Sequence, residues 1–225
     1  MLQLLKREER ESARDFAYRV IRHNIIELKL PPGSTISEKS LCEQLQLSRT
    51  PVRESLIDLS RQHLVDIRPQ RGTNVSLIHP ELVHEGHFLR ALVEEAVVRD
   101  VCNMIDDNSL RQLESNLLMQ KYFAENNDID EFISLDTKFH KKLFEIASKS
   151  ATYQIVADFQ AHLDRGRKLS LQFVNIGNLV QDHMNILRGI REHNPDAATE
   201  YMRHHLSHVL KDQYELMKQF PQYFS

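Results

Sequence analysis

Residues 47–54 read Leu47-Ser48-Arg49-Thr50-Pro51-Val52-Arg53-Glu54, and Leu56 and Leu59 follow before Gln62. Val52, Leu56 and Leu59 recur at helical spacing, which predicts one apolar stripe on a helix from Ser48 to about Gln62. Ser48 suits the N-cap, and Pro51 falls in the first turn, where its missing N–H does little harm. Leu47 and Val52 make a hydrophobic staple across the helix start. The polar side of that first turn carries Ser48, Arg49, Thr50 and Arg53. Arg49 and Arg53 are four apart and share a face, from which a guanidinium fork matches guanine O6 and N7 or clamps a phosphate. Ser48, Thr50 and the free amides of the helix start suit phosphate oxygens.

Working outward, Ala13, Phe16, Ala17, Val20, Ile21, Ile25 and Leu28 form the stripe of an earlier helix, which Pro31-Pro32-Gly33 is expected to end. Ser37 caps a short helix over Glu38 to Leu45, on which Lys39 is placed to neutralise a phosphate. After the third helix, Leu64 to Arg68 and Thr73 to Leu77 alternate apolar and polar residues around Pro69-Gln70-Arg71-Gly72, which predicts a β-hairpin. Its tip sets the cation Arg71 beside Gly72, a residue with no side chain to keep it out of a narrow groove. Three helices and a hairpin in this order make a winged helix-turn-helix, whose third helix enters the DNA major groove.

From Pro80 onward no strand is expected, and the periodicity gives six helices at about 80–104, 109–126, 129–148, 151–173, 177–192 and 195–219. The fold class is therefore mostly α: an N-terminal winged helix-turn-helix (three helices plus a β-hairpin wing) over 1-78, then an all-α six-helix bundle over 79-225. Only 6 of the 225 residues are glycine, which disfavours Gly-rich phosphate loops and Rossmann or all-β folds. Cys42 and Cys102 form no C-x-x-C pair, so no disulfide framework or cysteine zinc knuckle is expected. Residues 1–80 are net basic and 81–225 net acidic, in keeping with a polyanion-binding head on a regulatory body. The first ten residues are too short an apolar stretch for a secretory signal, and no run of about 18 apolar residues exists. A soluble, cytoplasmic protein is expected.

Among the 12 histidines of the chain and the acids of its second half, four residues stand out. Asp136 and His140 lie four apart on the apolar side of helix 129–148, with Phe132, Ile133, Phe139 and Leu143. His183 is in line with Leu179, Ile186, Leu187 and Ile190, and His205 with Met202, Leu206 and Val209. Each alone reads as a core polar group with an ordinary partner. Burying one carboxylate and three imidazoles in one small core is costly unless something joins them, and a divalent metal does so: zinc first, with nickel, manganese or iron as alternatives. His204 and His208 share the i, i+4 spacing but fall on the polar side, toward solvent.

Two resemblances follow from these residues. Pro32-Gly33-Ser34, Ser37-Glu38, Leu41 to Leu45, the string from Leu47 to Glu54, Leu59, Leu64 and Arg71-Gly72-Thr73 resemble the DNA-binding domain of the GntR family of bacterial transcription regulators. The resemblance implies operator contacts at Lys39, Arg49, Arg53 and Gly72, with Ser48, Thr50 and Arg71 beside them. One departure is His63, where the family commonly has glycine; His tolerates positive φ better than most residues but less well than Gly. The spacing Asp136-x3-His140, His183, His205 resembles the FadR-type FCD ligand-binding domain in its shorter, VanR-like form. This implies a metal at those four residues, an organic or sugar acid effector at or beside it, and Arg90, Glu94, Arg165 and Arg167 at polar positions of the effector pocket. The leading expectation is a homodimeric, effector-controlled regulator, more often a repressor, on an inverted-repeat operator. A metal-sensing regulator and an all-α metalloenzyme are the alternatives, and the latter would leave the N-terminal motif without purpose.

Overall fold

The computed structural model describes residues 1–68, 72–171 and 176–225. They form two compact units: Met1–Val83 with Ala161–Lys168 and Gln213–Ser225, and His84–Gln160 with Leu169–Asp212. The first unit thus takes in three segments of the stretch assigned by sequence to 79-225: residues 79–83, 161–168 and 213–225.

In the first unit, α1 (Ala13–Ile26) starts at Ser12, whose Oγ accepts from the Asp15 N–H. It ends earlier than Pro31-Pro32-Gly33 suggests, because Leu28 adopts a left-handed φ of +56° and its N–H bonds back to Ile25 O. The helix α2 (Glu38–Leu45) is capped by Ser37 and closed by Gln46 at φ +55°, which turns the chain within two residues into α3 (Arg49–Arg61). At the far end of α3, His63 takes φ +57°, and Leu64 N–H reaches Leu59 O at 3.0 Å. Histidine thus occupies the left-handed position that glycine would fill most easily.

Val20, Ile21 and Ile25 of α1 pack with Val52, Leu56 and Leu59 of α3 in one apolar cluster. Full burial of each such side chain contributes about 1.5–3 kcal/mol. Strands β1 (Thr35–Ile36), β2 (Val65–Arg68) and β3 (Gly72–Val75) form an antiparallel sheet of order β1-β3-β2, with Val65 opposite Val75 and Arg68 opposite Gly72. The expected hairpin is present, and its predicted turn at 69–71 lies outside the described residues. β1 was not anticipated, since two residues are too few to display alternation.

From Pro80 to Gln219 the described residues form seven helices rather than six: α4 (Pro80–Met104), α5 (Asp107–Glu125), α6 (Ile129–Ile146), α7 (Ser150–Phe159), α8 (Ala161–Ser170), α9 (Ile176–Arg191) and α10 (Pro195–Gln219). The single helix expected over 151–173 is interrupted at Gln160, where the chain passes from one unit to the other, and its expected end falls on undescribed residues. A one-residue interruption leaves the apolar periodicity almost unchanged, so the sequence does not betray it. Asp106, Asp128 and Asn194 cap α5, α6 and α10 by accepting from Ser109, Glu131 and Ala197 N–H groups. No described helix is long and apolar enough to cross a membrane.

The second unit packs Val98, Val101, Leu113, Phe139, Leu143, Ile186, Ile190 and Met202 into one cluster. α9 and α10 approach closely, and a Cβ built on Gly189 would stand 2.8 Å from Ala198 N. Gly189→Ala is therefore expected to destabilise the protein by about 1–3 kcal/mol in urea unfolding, because backbone rather than a flexible side chain must move. A loss below about 0.5 kcal/mol would contradict that packing.

Candidate functional site

The third helix presents the charged face that its sequence implies. Val52, Leu56 and Leu59 are buried, and Ser55 donates its hydroxyl to Val52 O at 2.7 Å, so the inward side is closed. Ser48, Arg49, Thr50 and Arg53 are exposed, as is Lys39 on α2. Among the described residues no carboxylate lies within ion-pair distance of Arg49 or Arg53, while Lys39 stands 3.9 Å from Glu43. Ser48 holds the N-cap position with extended backbone, but its side chain makes no capping hydrogen bond. The expected cap is thus positional only, and the first-turn amides remain suited to an anion. Gly72 is exposed at the start of β3 with φ +92°, a left-handed value that favours glycine. Arg71 lies outside the described residues.

Asp136, His140, His183 and His205 come together from α6, α9 and α10, all buried, with one ligand atom from each within 4.8 Å of the others. His205 Nε2 is 3.2 Å from both His140 Nε2 and His183 Nε2, and Asp136 Oδ1 is 3.5 Å from His183 Nε2. The opposite ring nitrogens each face an acceptor. His140 Nδ1 donates to Glu94 Oε2 and His183 Nδ1 donates to Gln120 Oε1 at 2.7 Å, while His205 Nδ1 lies 3.8 Å from Asp182 Oδ2.

The Gln120 amide is itself oriented, since its Nε2 donates to Asn116 Oδ1 and Asn116 donates to Leu135 O. With protons held on Nδ1 of His140 and His183, their Nε2 lone pairs point at the volume they share with His205 Nε2 and Asp136. Such outer acceptors fix the tautomer of metal-binding histidines and raise their basicity. Burial pushes His205 down to about 4 against the opposing pull of Asp182, which keeps the ring neutral at pH 7. Three imidazoles and one carboxylate are the donor chemistry that a divalent transition ion takes. Phe139 stacks on His183 with ring centroids 4.7 Å apart and closes one side.

Of the four residues expected near an effector, the structure brings two to this cluster. Arg90 and Glu94 lie buried on α4, with Arg90 Nε 2.7 Å from Glu94 Oε1 and Glu94 on to His140. Burial alone would raise the Glu94 carboxyl, but the Arg90 charge and the hydrogen bonds from His140 and Arg90 outweigh it and hold it at about 2.

Arg165 and Arg167 are elsewhere, on the part of α8 that belongs to the first unit. Arg165 is fully buried and donates to Ser76 O at 2.8 Å and Leu77 O at 3.1 Å. Burial lowers it to about 9. Its neighbour His162 accepts at Nδ1 from Arg165 Nη2 and from His79 N–H, and donates Nε2–H to His63 O at 3.0 Å. Burial and the Arg165 charge hold His162 at about 3, hence neutral. These two side chains therefore tie the turn after α3 to the segment leaving β3. Arg167 lies 3.7 Å from Asp164. Gln120, Asp182 and His162 were not identified from sequence, because a lone amide, acid or imidazole on a helix carries no spacing pattern.

Two family profiles match the chain: bacterial regulatory proteins, gntR family, over residues 13–75, and the FCD domain over residues 85–208. The HTH-type transcriptional repressor RspR of Escherichia coli (strain K12) is 32% identical over 209 residues, which cover 92% of each chain. More distantly, the galactonate operon transcriptional repressor of the same organism is 25% identical over 78% of this chain and 86% of that one. In fold, the solved structure of E. coli McbR/YncC matches with a TM-score of 0.79 at 17% identity, covering 91% of this chain and 98% of that one. The outward Arg49–Arg53 face and the buried bundle cluster thus lie in the two parts that these profiles match, and the chain belongs to the GntR family of bacterial transcription regulators, with an N-terminal helix-turn-helix domain and a C-terminal FCD domain.

Proposed function

We propose that this regulator is a cytoplasmic homodimeric repressor that reads an inverted-repeat operator. In this reading its DNA affinity is controlled by a small carboxylate effector bound beside a divalent metal, zinc first, held by Asp136, His140, His183 and His205. The observation that carries the proposal is the convergence of three Nε2 atoms and a carboxylate oxygen while the outer nitrogens face Glu94, Gln120 and Asp182. A metal at these residues would supply a Lewis-acid anchor for an anionic ligand. Four protein ligands leave open positions on an octahedral ion, enough for a carboxylate. Arg90, buried one step behind on the Glu94 side, adds the positive charge that an acid would seek. The name of the galactonate operon repressor makes a sugar acid one reasonable member of this class.

On the DNA side, Arg49 and Arg53 would supply base-edge or phosphate contacts, Lys39, Ser48 and Thr50 flanking phosphate contacts, and Arg71-Gly72 the wing contact. Homodimerisation is supported by exposed apolar pairs at helical spacing, Phe88 with Leu92 on α4 and Ile155 with Phe159 on α7. A twofold pair of recognition helices about 34 Å apart would read successive major grooves. The effector can act only through a difference in its affinity for states that space the two heads differently.

Arg49→Ala is expected to weaken specific operator binding about tenfold or more in a gel shift, with melting unchanged, since the side chain is exposed and buries nothing. Tight specific binding by that variant would contradict the assignment of α3. A thermal-shift screen of organic and sugar acids on zinc-loaded and chelator-treated protein should raise the melting temperature only in the loaded form, and His183→Ala should abolish the difference. Equal shifts with and without metal would remove the metal from effector binding; a shift with zinc and none with any acid would favour a metal sensor.

A further inference from the structure

A second set of ligand atoms lies on the outer side of α9 and α10. His204 and His208 are four residues apart, so both rings leave one face of α10, and their centroids stand 5.0 Å apart. Sequence periodicity sends them to solvent, and it does not reveal what faces them. Asp182, on α9, places Oδ2 at 2.8 Å from His208 Nε2 and Oδ1 at 3.4 Å from His204 Nδ1. One ligand atom from each of the three lies within 4.8 Å of the others. The Asp182 side chain is only 10% exposed, that of His208 is 31% exposed and that of His204 58%. The set therefore pairs a sheltered anionic anchor with two imidazoles that an ion reaches directly from solvent.

We infer that Asp182, His204 and His208 form a second, solvent-accessible site for a divalent transition metal, separate from the buried cluster. Two imidazoles and a carboxylate are one ligand set used for zinc, nickel and copper, and the remaining positions would be filled by water. With one protein ligand fewer, and two of the three partly in water, this site holds zinc more weakly than the buried four-residue set. Asp182 also lies 3.8 Å from His205 Nδ1, so the same carboxylate stands behind a ring of the inner cluster. Occupancy outside would thus draw on a carboxylate that also faces a ring of the inner cluster.

The test is a zinc titration of the full chain, stripped with chelator, against a chromophoric competitor. The expected result is two equivalents for the wild type, the second at least tenfold weaker, and one for His204→Ala/His208→Ala. A circular-dichroism melt checks folding, and this exposed pair should leave it near the wild-type value. The complementary His140→Ala/His183→Ala variant should retain the weaker equivalent. If the wild type takes one equivalent and the outer variant loses it, the outer site stands and the inner assignment fails. If the outer variant binds as many equivalents as the wild type, the second site is overturned.

Discussion

Three imidazole nitrogens and a carboxylate oxygen that face one another inside a helical bundle are the constraint on which the second unit turns. Lone pairs aimed at a common point repel, and water cannot reach these fully or nearly fully buried groups to relieve them. Two of the rings are held from behind by hydrogen bonds, His140 by Glu94 from α4 and His183 by Gln120 from α5, while Asp182 from α9 stands 3.8 Å behind His205. Five helices, α4, α5, α6, α9 and α10, each contribute a ligand or a facing acceptor. The proposed metal would be the element that turns this repulsion into cohesion.

The first unit follows a simpler logic. Its stability comes from the α1–α3 stripe, which leaves the opposite face of α3 to serve a partner without cost to the core. Arg165 and His162 add a polar tie that is unusual for such a small head. A buried guanidinium with main-chain carbonyls as its acceptors links the end of β3, and His162 links the turn at His63, so the base of the hairpin is held by a segment far along the chain.

Much of this was legible in the sequence, for physical reasons. The α3 stripe and its basic first turn could be read because burial imposes a 3.6-residue period and DNA imposes positive charge on the remaining face. The four cluster residues could be read because polar groups on apolar stripes demand an explanation. What stayed hidden lacked such a pattern. The interruption at Gln160 preserves periodicity, β1 is two residues long, and Gln120 and Asp182 resemble any polar residue until the histidines they face are placed. Arg165 was assigned to the effector pocket by resemblance, and the structure instead sets it on the carbonyls of Ser76 and Leu77.

The most direct measurement is X-ray absorption at the zinc K-edge on His204→Ala/His208→Ala protein carrying one equivalent of zinc, so that the outer pair cannot supply histidines. The account predicts a first shell of nitrogen and oxygen at about 2.0–2.1 Å with the multiple-scattering pattern of three imidazoles. A shell of water oxygens with no imidazole scattering would contradict it.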